Sequence, residues 1–167
     1  IYSWYAPEVE CIGKGKARTP YEFGCKATIT STNGRAKGGM FILHADALHG
    51  NPFDGHTLGE ALKQTTALTG VTPKRAHVDK GYRGHKQKLK TPDPASGLPT
   101  RPSWQVFISG RKALKPSLKA ELKRRSAIEP VIGHMKADHR MGKNHLKGRS
   151  GDRFNVKMAA IGFNFRH

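Results

Sequence analysis

Past Gly24, β-branched and polar residues alternate through residues 21–32 (YEFGCKATITST), and Asn33-Gly34 follows as a turn signal, which predicts a strand ending in a tight connection. A second apolar run at residues 39–45 (GMFILHA) is placed to return antiparallel, making a hairpin. Leu58, Ala61, Leu62, Thr65 and Leu68 then recur at helical spacing and Gly70 stands just beyond them, so a helix of roughly three to four turns is expected with the glycine as its C′ residue. Asp54 precedes that run and is expected to act as its N-cap rather than in catalysis. Residues 75–79 (RAHVD) form a short strand with an acid at its carboxyl end, and 104–110 (WQVFISG) a further buried one. Between them, residues 86–102 contain several prolines and charges and are expected to be a flexible loop.

Residues 115–139 favour a helix, with Leu118, Leu122 and Ile128 apolar among lysines and arginines. Pro130 interrupts it, because proline lacks the amide donor and disfavours helix at the residue before it, so a kink or restart near Glu129 is expected. The last segment, residues 151–167, places Phe154, Met158, Ile161 and Phe165 at helical spacing and is expected to pack through that stripe. The first twenty residues show no period and are expected to be irregular. The order of elements indicates an α/β protein, and the length of 167 residues suits a single domain over residues 1–167.

Composition adds a partner to this outline. The chain has 30 Lys+Arg against 12 Asp+Glu, a formal charge of +18, which favours a polyanion such as DNA or RNA through electrostatic attraction and counterion release. With 36% hydrophobic residues, a disordered chain is excluded. No apolar run approaches the roughly 20 residues of a membrane helix and no signal-peptide pattern opens the chain, so a cytoplasmic location without membrane association is expected. Cys11 and Cys25 lack CxxC spacing or a nearby histidine pair, and neither a disulfide framework nor a zinc site is expected from them. His77, His85, His134, His139 and His145 show no metal-binding spacing and are expected to be polar or phosphate-contacting groups.

Acids are scarce, so Asp79 in HVDKGYRG and Glu129 in RRSAIEP stand out against their basic surroundings. On a continuous helix, Arg125, Glu129 and Lys136 would share one face, an arrangement that an ordinary surface ion pair could also explain. The Arg125-x3-Glu129-x6-Lys136 spacing and the blocks YSWYAPEVECIGKGKARTPYEFGCK, GNPFDGHTL, VDKGYRGH, RRSAIEPVIGHMKADHRM and LKGRSGDRFN resemble DDE transposases of bacterial insertion sequences. Leu122 stands where many members of that family carry tyrosine.

The resemblance implies a ribonuclease-H-like mixed sheet flanked by helices and a site in which carboxylates hold two Mg²⁺ (or Mn²⁺) ions for phosphodiester hydrolysis and strand transfer. It assigns Asp79 and Glu129 as catalytic metal ligands and Arg125, Lys136, Lys80 and Arg83 as DNA contacts. The partners implied are double-stranded DNA, both terminal inverted repeats and target, and further copies of the protein when two ends are synapsed. The family's first carboxylate and its strand lie upstream of the block that begins at Ile1, with Asp46 and Asp54 as the nearest substitutes. The expectation is therefore an amino-terminally truncated core that binds DNA without cleaving it. The alternatives are a non-catalytic or ribosomal-type nucleic-acid-binding protein and a ribonuclease-H-like nuclease.

Overall fold

In a computed structural model, residues 1–15, 17–34, 37–85, 104–110 and 114–166 are described. The loop expected at 86–102 lies outside them. The protein is of mixed α/β type, with small sheets and helices forming two compact units, residues 1–52 with 127–167 and residues 53–126.

In the first unit, β1 (Glu10–Gly13) pairs antiparallel with β2 (Tyr21–Gly24), and β3 (Lys26–Ser31) pairs antiparallel with β4 (Ile42–Leu48). The second pair is the expected hairpin, with a bulge between Thr30 and Ser31. The predicted strand at 21–32 is divided at Cys25, so its first part forms a separate ladder with β1. β1 is the one departure from the irregular lead-in expected for residues 1–20, whose other described residues form no helix or strand. Its sequence, Glu-Cys-Ile-Gly, is too short to display a period, and its partner supplies the order.

The helices α3 (Ile128–Ala137) and α4 (Gly148–Phe165) complete this unit. Met135 and Val131 from α3 join Val156, Ala159, Ala160 and Phe163 from α4 and Ile42, Ala45 and Ala47 from β4 in one core. Phe154, Met158, Ile161 and Phe165 are exposed instead, which corrects the packing face expected for α4. Two small residues, Ala159 and Ala160, allow the helix backbone close to β4. Asn164 then bonds the strand backbone at Ile42 in both directions, its Oδ1 accepting from the amide and its Nδ2 donating to the carbonyl, each at 2.8 Å. Those two bonds fix which way the helix faces.

The second unit contains α1 (Asp54–Thr69), β5 (Arg75–Val78), β6 (Gln105–Ile108) and α2 (Pro116–Arg124). Strands β5 and β6 run parallel in register from Arg75 opposite Gln105 to Val78 opposite Ile108. Leu58 and Leu62 of α1 pack with Ala76, and Val78, Trp104 and Val106 close around them. Of the apolar positions expected on this helix, Leu68 alone stays exposed. Gly70 ends the helix with φ +68° and donates its amide to Thr66, as the C′ role requires. Phe53 rather than Asp54 occupies the N-cap position, so Asp54 is the first helical residue, where its charge complements the helix dipole.

Between α2 and α3, residues Arg125–Ala127 form a 3-10 turn. Pro130 explains it, since it cannot donate to the carbonyl of Ser126 and its ring crowds that oxygen; tightening the preceding turn relieves the conflict. The restart comes at Ile128, one residue before the expected position.

Candidate functional site

Asp79 immediately follows β5, at the carboxyl end of a parallel strand pair, where open α/β sheets commonly place ligands. Its backbone is extended and its Oδ1 accepts the Lys80 amide at 2.6 Å, which starts a 3-10 turn over Lys80–Tyr82. Asp79, Lys80 and Arg83 are all exposed. Beside them, Ser109 at the end of β6 donates both its amide (3.0 Å) and its hydroxyl (3.1 Å) to the Val78 carbonyl. The aliphatic end of Lys80 lies against Gly110.

Gly81 lies close to Asp54 in this turn: a Cβ there would fall 2.6 Å from the Asp54 Oδ2, so the carboxylate would have to shift to admit one. Asp54, expected to cap a helix, therefore sets its carboxylate against the turn that Asp79 opens. Asp46, the other alternative carboxylate, faces α4: its Oδ1 lies 3.9 Å from Arg153 and 4.0 Å from Lys157.

Glu129 occupies the first turn of α3 and is exposed. Lys136 lies two turns further along the same helix and forms a 3.1 Å ion pair with Glu22, which also pairs with Lys14. The Glu22 carboxyl is held below the usual range, first by the Lys14 bond, against desolvation, and further by Lys136. Arg125 belongs to the 3-10 turn. The continuous helix that would place Arg125, Glu129 and Lys136 on one face is therefore interrupted at Arg125–Ala127. Asp79 and Arg125 belong to one unit and Glu129 and Lys136 to the other.

No protein-family model matches the chain, and no curated protein or solved structure matches it.

Two groups were missed by the sequence reading. In the second unit, Glu121 of α2 receives a forked bond from Arg75 (2.9 and 3.1 Å) and bonds the His77 Nε2 at 3.0 Å. The His77 ring stacks on Phe107 with centroids 5.3 Å apart. Burial lowers the His77 pKa, against the Glu121 bond and with help from the Arg75 and Arg124 charges. Desolvation acts to raise the Glu121 pKa, but the His77 bond and the Arg75 charge bring it below the ordinary value.

In the first unit, Cys25, His49 and Asp152 bring one donor atom each to within 4.8 Å of one another and could hold a metal ion. The cysteine spacing gives no sign of this group, and Cys11 takes no part in it. The His49 Nε2 is 3.0 Å from the Asp152 Oδ2, and Asn144 donates to the Asp152 Oδ1 at 2.8 Å. Burial and the Asp152 charge push the Cys25 thiol up to about 11. The group borders a cavity of about 470 Å³ that Lys14, Glu22 and Lys136 also line. No local spacing announces it, since His49 and Asp152 are 103 positions apart.

Among the remaining histidines, His134 bonds Asp138 at 2.9 Å, four residues on, and Arg166 bonds the same carboxylate at 2.7 Å. The His139 ring sits edge-on to Phe163. No helix among the described residues is long and apolar enough to cross a membrane.

Proposed function

We propose that this protein is a DNA transposase of the DDE type, acting on phosphodiester bonds at the ends of an insertion sequence. The observation that carries the reading is the turn after β5. It offers the exposed Asp79 carboxylate at the carboxyl end of a parallel strand pair, with the Asp54 carboxylate against the same turn and Lys80 and Arg83 beside it. An acid in that position serves metal binding, while the adjacent cations suit a phosphate backbone. The formal charge of +18 supports DNA as the partner.

On this reading the finer fold is ribonuclease-H-like; the described residues themselves form three separate two-stranded ladders, two antiparallel and one parallel. Asp79 and Glu129 present carboxylate oxygens, the donor type that Mg²⁺ or Mn²⁺ takes. Bound ions would supply activation of the attacking oxygen and charge stabilisation at the leaving oxygen. The protein's own contribution is to position DNA: Lys80 and Arg83 bear on phosphates near Asp79, Arg125 and Lys136 on those near Glu129. Joining two DNA ends calls for more than one copy.

The test uses the protein as its gene encodes it, with duplex DNA carrying the element's ends. Mg²⁺- or Mn²⁺-dependent nicking is expected, lost in Asp79→Asn and Glu129→Gln, while DNA affinity and its salt dependence persist in both variants. Nicking at wild-type rates by the variants refutes the assignment. Binding without any metal-dependent nicking points to a non-catalytic nucleic-acid-binding protein.

A further inference from the structure

We propose that Cys25, His49 and Asp152 form a site for one divalent ion of the zinc class, with an exchangeable fourth position opening to the adjoining cavity. The donor set is the first argument. Thiolate and imidazole select zinc and its borderline neighbours over Mg²⁺, which prefers oxygen alone, and a carboxylate is itself a zinc ligand that can complete three protein donors. The placement is independent of the Asp79 and Glu129 reading, which rests on exposed oxygen donors.

Geometry is the second argument. Cys25 lies in the one-residue break between β2 and β3, His49 follows β4, and Asp152 sits in α4. Three separate elements thus deliver the donors to within 4.8 Å of each other. Zinc bond lengths place tetrahedral donors roughly 3.3–3.8 Å apart, so modest side-chain rotation closes the site. The His49 and Asp152 side chains are only 8% and 15% exposed, which protects them from competing water.

The third argument is the outer support. Metal-ligating carboxylates are themselves hydrogen-bonded, which fixes their orientation, and Asn144 does this for Asp152 through the oxygen that does not face His49. On loading, the His49 Nε2 releases to solvent the proton it donates to Asp152 and the ring takes one up at Nδ1. The freed Nε2 lone pair binds the metal, while Asp152 exchanges that hydrogen bond for a bond to the metal. The Cys25 S–H bond breaks as the sulfur–metal bond forms, and the proton passes to solvent. Cys25, Asp152 and Asn144 also line the cavity of about 470 Å³, so water or an anionic ligand can reach the fourth position.

The experiment is calorimetric titration of the intact protein with Zn²⁺ in excess Mg²⁺, paired with timed alkylation of its two cysteines read by peptide mass. One tight Zn²⁺ per chain is expected. Cys25→Ser or His49→Ala weakens it by roughly 100-fold or more, and Asn144→Ala by about 10-fold. Zn²⁺ slows alkylation of Cys25 and leaves Cys11, outside the group, unchanged. The alkylation uses wild-type protein, so it decides the matter even where a variant fails to fold. Equal Cys25 labelling with and without Zn²⁺, or undiminished affinity in folded Cys25→Ser protein, overturns the site and leaves binding by surface histidines as the explanation.

Discussion

Asp79 and Glu129 stand in solvent, whereas Asp152 has a side chain only 15% exposed and shares its surroundings with an imidazole and a thiol. The first two keep water as a neighbour and present hard oxygen donors, suited to an ion that retains part of its hydration. Asp152 is partly desolvated and already paired, so a metal there must replace a protein hydrogen bond and gains by bringing in sulfur and nitrogen. On the two proposals, acid residues of one chemical type serve different ions in one chain. Burial and the neighbouring donor atoms decide which.

The largest effect that would sharpen this contrast concerns chemistry rather than stability. On the proposed transposase reading, and in the protein as its gene encodes it, Asp79→Asn and Glu129→Gln are each expected to slow metal-dependent DNA cleavage by about three orders of magnitude, on the order of 4 kcal/mol in the barrier. Unfolding midpoints in urea should move little, because exposed substitutions away from packed features usually cost within about 0.5 kcal/mol. A large loss of stability with unchanged cleavage would reverse the roles given to these acids.

On the same helix as Glu129, Met135 is fully buried, at 0% exposure. Met135→Ala should cost about 2–5 kcal/mol, the transfer term plus the cavity left behind, measured by urea denaturation. One helix then carries an exposed acid whose removal spares the fold and a covered side chain whose removal does not. A cost near zero for Met135→Ala would mean that the core around α3 collapses without penalty.

Elements whose signal is local were legible. The hairpin followed from alternation around Asn33-Gly34, α1 from its apolar spacing and Gly70, and the restart at Ile128 from the missing amide of Pro130. Asp79 fell at the end of β5 because the strand and its glycine turn are adjacent in sequence. What failed was long-range. β1 acquires its conformation from β2, and Glu121 joins His77 and Arg75 across 44 and 46 positions. Cys25, His49 and Asp152 are united only when β4 and α4 pack. On α1, Asp54 looked like a cap because an acid before an apolar run usually is one, yet the chain enters the helix one residue earlier.

A smaller effect separates the covered histidine from the exposed acids. In the folded protein His77 binds protons less readily than in the unfolded chain, so the unfolded state holds more protons between the lowered value and the ordinary histidine value. Stability therefore falls as pH drops through that window. The contribution of Glu121, whose pKa is also lowered, is present above the ordinary carboxylate value and lost as pH falls through its folded value. Urea denaturation at a series of pH values should show the two losses in succession, and His77→Gln should remove the upper one. An unchanged upper limb in that variant would assign it to another histidine.

The smallest expected effect bears on α4, where apolar residues occur on both covered and uncovered faces. Phe154 is 58% exposed, while Phe163, on the packed face, is 5% exposed. Phe154→Ser should shift the unfolding free energy by about 0.5 kcal/mol or less, because a side chain that remains largely in water when folded has little transfer energy to lose. If it instead costs what burial of an aromatic ring would predict, the helix must pack through the Phe154 stripe, and the close approach to β4 set by Ala159, Ala160 and Asn164 would have to be given up. With it would go the placement of Asp152 beside His49, because both depend on the same rotation of α4.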